Sequence, residues 1–234
     1  MKDSLNSVLV SGFKIHIGHR ESLMNYALKT NGILLALNTE KIYSQNPLIK
    51  KLSQEEIGYP DGIGAVWACQ RKGFLNARKI PGSELWLDII RFSEGKKSIY
   101  IIGSTQNVIE ATVLKLKKQF PKINIVGFRN GFLQDGDKEE LISTISLLKP
   151  EIIFVAQGSP RQEHLMQELK ECHLALYMGL GGSLDVYTGQ IHRAPKIFQR
   201  AGLEWLYRSL KEPKRIRGQL VFIPYLFNLI FNRL

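Results

Sequence analysis

Short, continuous runs of apolar, β-prone residues recur along this chain of 234 residues. They are Ile33–Leu37, Ile99–Ile102, Ile123–Val126, Ile152–Val155 and Ala175–Met178. None alternates with polar residues, so each predicts a parallel strand buried on both faces. Between them, residues 106–119, 137–148 and 161–171 carry helical periodicity. In the first of these, Ile109, Val113 and Leu116 follow one another at i, i+4 and i+7, with Val108 and Thr112 alongside, which makes one apolar stripe. Strand–helix units of roughly 25 residues predict a parallel sheet with right-handed crossovers. The expected fold class is therefore α/β, a Rossmann-like core running from about Ser7 to Thr188.

The pattern changes after residue 189. Leu203, Leu206, Tyr207 and Leu210 are spaced as one face of an amphipathic helix, limited by Pro213. A second, apolar helix is expected from Gln219 to Asn232, kinked or begun at Pro224. Charge sharpens the contrast. The net charge is +11, and +7 of it lies in residues 190–234, where nine Lys and Arg oppose only Glu204 and Glu212. The chain thus divides into an α/β core, residues 1–189, and a basic, amphipathic C-terminal helical appendage, residues 190–234. The appendage suits an interfacial element on an anionic membrane. It equally suits a helical pair packed on the core with its charges solvated.

Composition narrows the classes. With 44% hydrophobic and 23% charged residues, disorder, collagen and coiled coil are excluded for the whole chain. Cys69 and Cys172 lie far apart, without CxxC spacing, which argues for two ordinary thiols in a reducing compartment. No N-terminal signal is evident. The most apolar stretch, Leu220–Phe231, falls well short of the about 20 residues a spanning helix needs. A cytoplasmic protein with at most peripheral membrane contact is expected.

In an open parallel sheet, ligands sit beyond the carboxyl ends of the strands. The loops there are Asn38-Thr39-Glu40, Gly103-Ser104-Thr105-Gln106, 157–163 and 179–185, all polar or glycine-rich. Together they predict a binding site. Taken singly, they are less telling. Gly103-Ser104-Thr105 could present backbone N–H groups to a phosphate, but alone it is better read as a capped strand-to-helix turn. Gly179–Gly182 fails to complete GxGxxG because Leu184 takes the last position, and no Walker A motif exists. A nicotinamide-dependent oxidoreductase is accordingly disfavoured. Asp61, in YPDGIG at 59–64, could act as a general base on a sugar hydroxyl, although this stretch alone is better read as an Asx-turn. The five histidines form no HxxxH or HExxH pair, and no metal is expected. A nucleic-acid module using the tail aromatics as stacking platforms is also disfavoured, because the tail's apolar residues fall at helical spacing.

The ordered segments NTEK at 38–41, YPDGIG at 59–64, PGSELW at 81–86, GSPRQE at 158–163, YMGLGGSLDVYTG at 177–189 and RAPKIFQRAGLEWLYRSLKEPKRIRGQL at 193–220 point further. Carrying them nearly end to end, the chain resembles the WecG/TagA/CpsF family of bacterial glycosyltransferases. Its final blocks are most similar to the branch that builds enterobacterial common antigen. The resemblance implies inverting transfer of N-acetyl-D-mannosaminuronic acid from UDP to the 4-hydroxyl of GlcNAc on undecaprenyl diphosphate. It implies no cofactor and no metal. The implied partners are a UDP-sugar donor, a polyprenyl-diphosphate-linked GlcNAc acceptor and an anionic membrane surface at the inner face of the inner membrane, and no nucleic acid.

Carried over residue by residue, the resemblance makes Asp61 the base, with Asp185 and Glu163 next in line. Asn38 and Gln162 would contact the sugar. Gly103 and Ser104 would face the diphosphate, with Gly181 and Gly182 allowing close backbone approach. Arg193, Arg208, Arg215 and Arg217 are the matching tail arginines, one of which would stabilise the leaving diphosphate. Three positions depart from the common family pattern: Ala36 for Thr, Lys79 for Arg and Glu84 for Asp. Lys79 and its neighbour Arg78 are candidates to meet a uronic carboxylate. A neutral N-acetylmannosamine donor, as in teichoic-acid-type members, remains the alternative.

Overall fold

A computed structural model describes residues 5–192, 194, 195, 198, 207 and 221–231. In chain order its strands are β1 (Asn6–Val10), β2 (Phe13–Ile17), β3 (Gly32–Leu37), β4 (Ile57–Pro60), β5 (Ser98–Gly103), β6 (Asn124–Arg129), β7 (Ile152–Ala156) and β8 (Leu176–Gly179). The helices are α1 (Arg20–Thr30), α2 (Thr39–Ser44), α3 (Pro47–Glu55), α4 (Ile63–Arg71), α5 (Gly82–Ser93), α6 (Gln106–Gln119), α7 (Asp137–Leu148), α8 (Arg161–Cys172), α9 (Ser183–Thr188) and α10 (Phe222–Ile230).

Six strands form one sheet in the order β4-β3-β8-β7-β5-β6, and β3–β8, β8–β7, β7–β5 and β5–β6 pair in parallel. The five strands expected from the apolar runs are all present. Every residue of β7 is buried, as two-sided burial requires. Strand β6 differs: it ends the sheet, none of its residues is fully buried, and Phe128 is exposed. Its flank without a neighbouring strand explains why a continuous apolar run there does not mean burial on both faces.

Two features were not expected. Residues 6–17 form an antiparallel hairpin, β1–β2, turned by Ser11 and Gly12, both with left-handed φ. That pair of dihedral signs is what a two-residue hairpin turn needs to match strand twist. The strand signal in β1 is only the short alternation of buried Val8 and Val10 with exposed Ser7 and Leu9. Strand β4 reads IGYP, and glycine and proline both disfavour strands. Gly58 is there for space, since a Cβ at this position would lie 2.5 Å from the Lys14 carbonyl oxygen of β2.

Helices α6, α7 and α8 occupy the predicted segments. The second tail helix is found at Phe222–Ile230, with Pro224 in its first turn, where a missing N–H costs no helical hydrogen bond. Gln219 and Asn232 lie outside the described residues, as does the first tail helix apart from Tyr207.

The chain divides into two compact units. One comprises Met1–Leu23, Ala36–Pro81 and His192–Leu234; the other comprises Met24–Leu35 and Gly82–Ile191. In the first, α10 packs on α4 and α2. The core of the second includes Trp86, which meets Phe154 and Tyr187 edge-on at 5.9 and 5.2 Å between centroids and donates its indole N–H to the Ser83 carbonyl.

The two cysteines differ in reactivity. Cys69 is fully buried in α4, and desolvation pushes its thiol up to about 12, whereas Cys172 is exposed at the end of α8. Because the thiolate is the reactive species, an alkylating reagent at neutral pH should label Cys172 in the native protein. Cys69 should react only on unfolding. Peptide mapping by mass spectrometry reads the result, and rapid native labelling of Cys69 would contradict the burial of α4.

Candidate active site

In the first unit the candidate base and the early-strand Asn come from adjoining strand ends. Strand β3 ends at Leu37 and is followed by Asn38; β4 ends at Pro60 and is followed by Asp61. The Asp61 amide donates to the Leu37 carbonyl at 3.0 Å. A Cβ at Gly62 would stand 3.5 Å from the Asn38 Cβ, so the two loops abut. Asp61 itself is half-buried.

Asn38 is the N-cap of α2: its Oδ1 accepts from the Lys41 amide at 3.0 Å. That leaves its Nδ2 as the group with donors to offer a ligand. Lys41, unremarked in the sequence, is buried in the same turn and donates its Nζ to the Ala36 carbonyl at 2.9 Å. The Ile80 amide donates to the Pro60 carbonyl at 2.9 Å, which holds the Lys79 segment beside the Asp61 turn.

Tyr59, two residues before Asp61, is a further residue that sequence reasoning missed. Its ring is fully buried, and its hydroxyl has no hydrogen-bond partner among the described residues. Burial first, and then the charge of Asp61, raise its pKa well above the usual tyrosine range. It therefore stays neutral beside the carboxylate. Its membership of YPDGIG was the available signal.

In the second unit the loops after β5, β6, β7 and β8 are tied together. Gly103 has φ +142°, and a Cβ there would lie 2.4 Å from the Ala156 carbonyl oxygen, so no other residue fits. Ser104 follows in the left-handed region. Its amide donates to the Ala156 carbonyl at 3.0 Å, its carbonyl accepts from the Gly131 amide at 2.9 Å, and its Oγ donates to Asp185 Oδ1 at 2.9 Å. Gln157 adds a bond from its Nε2 to the Gly131 carbonyl at 2.8 Å.

Gln162 is only 4% exposed. Its Oε1 accepts from the Gly181 amide at 2.9 Å, and its Nε2 donates to Glu163 Oε1 at 3.0 Å. It thus shapes the turn before α9, while Glu163 is fully buried beside it. Gly181 and Gly182 stand in that turn with open space where their side chains would be. Thr105 and Pro160 occupy the N-caps of α6 and α8 without a side-chain cap bond. In the first turn of α8 the Gln162 and Glu163 amides are already taken, by the Gly158 and Pro160 carbonyls at 2.9 and 3.1 Å, so of these two helix ends it is that of α6 that keeps backbone donors of the kind that hold phosphate.

Arg193, Arg208, Arg215 and Arg217 lie outside the described residues. The first unit thus holds a carboxylate and a carboxamide on abutting loops, and the second a set of loops linked by hydrogen bonds.

The profile described as the glycosyl transferase WecG/TagA/CpsF family matches residues 9–234, which takes in every segment just described apart from the start of β1. With that match over nearly its whole length, the chain belongs to the WecG/TagA/CpsF family of glycosyltransferases.

Proposed function

We propose that this glycosyltransferase moves N-acetyl-D-mannosaminuronic acid from UDP to the 4-hydroxyl of a GlcNAc carried on undecaprenyl diphosphate. The observation that carries the proposal is the Asp61 carboxylate, set against the Asn38 loop by the bond from its amide to the Leu37 carbonyl. Asp61 takes the proton of the acceptor hydroxyl as that oxygen attacks the anomeric carbon. The bond from this carbon to the diphosphate oxygen breaks, its electron pair leaves with UDP, and the anomeric configuration inverts. Asn38 Nδ2 serves as a sugar contact. The turn at Gly103 and Ser104 and the N-terminus of α6 suit the diphosphate. A tail arginine, planar and bidentate, would stabilise the leaving group. Lys79, held beside the Asp61 turn, favours a donor with a C6 carboxylate over the neutral sugar.

The lipid acceptor places the work at the inner face of the inner membrane. Among the described residues no helix is long and apolar enough to cross a membrane. Helix α10 carries no charged residue, and Ile223, Phe227, Ile230 and the adjoining Phe231 are each more than half exposed. Phe227 and Phe231 stack in parallel at 6.5 Å. An apolar face flanked by a segment with nine cations suits an anionic bilayer, where each Lys or Arg near the surface adds about 1 kcal/mol.

A direct transfer assay tests the reaction. Full-length protein is given a short-chain GlcNAc-diphosphate-prenyl acceptor with either UDP-N-acetylmannosaminuronic acid or UDP-N-acetylmannosamine, in the presence of EDTA. UDP release and glycolipid formation are expected from the uronic donor alone. Transfer only from the neutral donor would contradict the assignment of the sugar.

Asp61→Asn should lower kcat by about 10²–10⁴-fold, the usual cost of losing a general base. UDP affinity, read by calorimetry, should barely change. Turnover close to wild type would move the base elsewhere. Phe227→Asp should weaken co-sedimentation with anionic vesicles, and raising the salt should weaken it further by screening the basic segment. Binding that ignores both changes would remove α10 from the membrane contact.

A further inference from the structure

Helix α10 has a second face, and it reaches the first turn of α4, just after the candidate base. Gly64 lies in the first turn of α4, three residues after Asp61. A Cβ there would come within 2.2 Å of Thr39 Oγ1 and 3.2 Å of Tyr225 Cε1. Thr39 is the first residue of α2, directly after Asn38. Three helices therefore meet where Gly64 has no side chain: α2 after Asn38, α4 after Asp61, and α10 from the C-terminal segment. Tyr225 is fully buried at this junction, and its hydroxyl donates to the Gly64 carbonyl at 3.0 Å. Burial, with a smaller effect from Cys69, pushes that hydroxyl above the usual tyrosine range, so it stays a donor.

Two further contacts hold α10 along α4. Phe222 packs on Trp67 with ring centroids 6.2 Å apart, and Arg71 Nη2 donates to the Ile230 carbonyl at 3.0 Å. The contacts fall at the first turn, the middle and the end of α4, so α10 braces its whole length.

We propose that Tyr225 is a positioning residue for sugar transfer, pinning the first turn of α4 against α2 and so fixing the Asp61 carboxylate relative to Asn38. It touches no reacting atom. Its effect passes through Gly64 to the turn in which Asp61 sits. The helix whose exposed face suits the lipid surface thereby also aligns the base. The proposal rests on Asp61 being that base, and one of its two readouts is independent of the reaction.

The test uses Tyr225→Phe in the full chain, which keeps the ring against Gly64 and removes only the hydroxyl. With a water-soluble short-chain acceptor, kcat should fall roughly three- to tenfold, the scale of one buried hydrogen bond. The donor KM should stay within about twofold, as expected when alignment and not binding is lost. Amide hydrogen exchange at residues 61–66 should quicken, while co-sedimentation with anionic vesicles is unchanged. Gly64→Ala is the second variant. Its methyl group collides with Thr39 Oγ1, so kcat should drop further, and adding Thr39→Ala should restore part of it. Unchanged kcat in Tyr225→Phe overturns the proposal, and so does unchanged exchange at 61–66. Loss of turnover that merely follows loss of vesicle binding overturns it as well. Were the wild-type protein to transfer no sugar at all, the proposed reaction would fall, and the exchange measurement would still decide whether Tyr225 holds the α4 turn.

Discussion

The hydrogen bond from the Asp61 amide to the Leu37 carbonyl is the constraint on which the candidate site depends. It joins the ends of β3 and β4, and each strand end leads directly into a helix through a side chain with chemistry to offer. Without that bond, the carboxylate after β4 and the carboxamide after β3 would hang on separate loops. With it, their spacing is set by backbone geometry, which is stiffer than any contact between two side chains. A small residue nearby follows from the same demand. Gly64 lets α4 approach Thr39 of α2 and Tyr225 of α10 more closely than a residue with a Cβ could without displacing them.

The second unit solves a parallel problem with different parts. Its loops carry no catalytic carboxylate pair; they carry shape. Gly103 passes so close to Ala156 that only glycine fits, and Ser104 then ties three neighbouring loops through its amide, carbonyl and hydroxyl. Gln162 does the same for the turn before α9. These bonds hold backbone donors still in advance of any ligand, and preorganised donors are worth more to a transition state than mobile ones. Family membership makes the chain a glycosyltransferase, and these loops are held largely through their backbone groups.

Much of this was legible in the residues. The central strands announced themselves because parallel strands buried on both faces leave unbroken apolar runs, as at Ile152–Val155. The loops after them could be located because each follows the carboxyl end of such a strand. Strand β4 was hidden because its glycine and proline serve close packing and a strand end, and local propensity scores both as turn. The roles of Lys41, Tyr59 and Tyr225 were hidden for another reason: each depends on a partner distant in sequence or on burial, and no spacing rule reports either. Gln162 carries a structural task that its motif does not report: both ends of its amide hold neighbouring residues.

The stereochemistry of a single turnover tests the central claim most directly. If Asp61 deprotonates the acceptor for direct attack, the donor's α-linkage to UDP becomes a β-linkage in the product, with no sugar ever bound to the protein. The one-bond carbon–proton coupling at the anomeric centre of the glycolipid product reads its configuration, since in a manno-configured sugar the H1–H2 coupling is small in both anomers, and intact-protein mass spectrometry during turnover reads any adduct. A β-linked product and an unmodified chain are the predicted result. An α-linked product, or a glycosylated enzyme that forms and decays with turnover, would make a carboxylate the nucleophile and contradict the role given to Asp61.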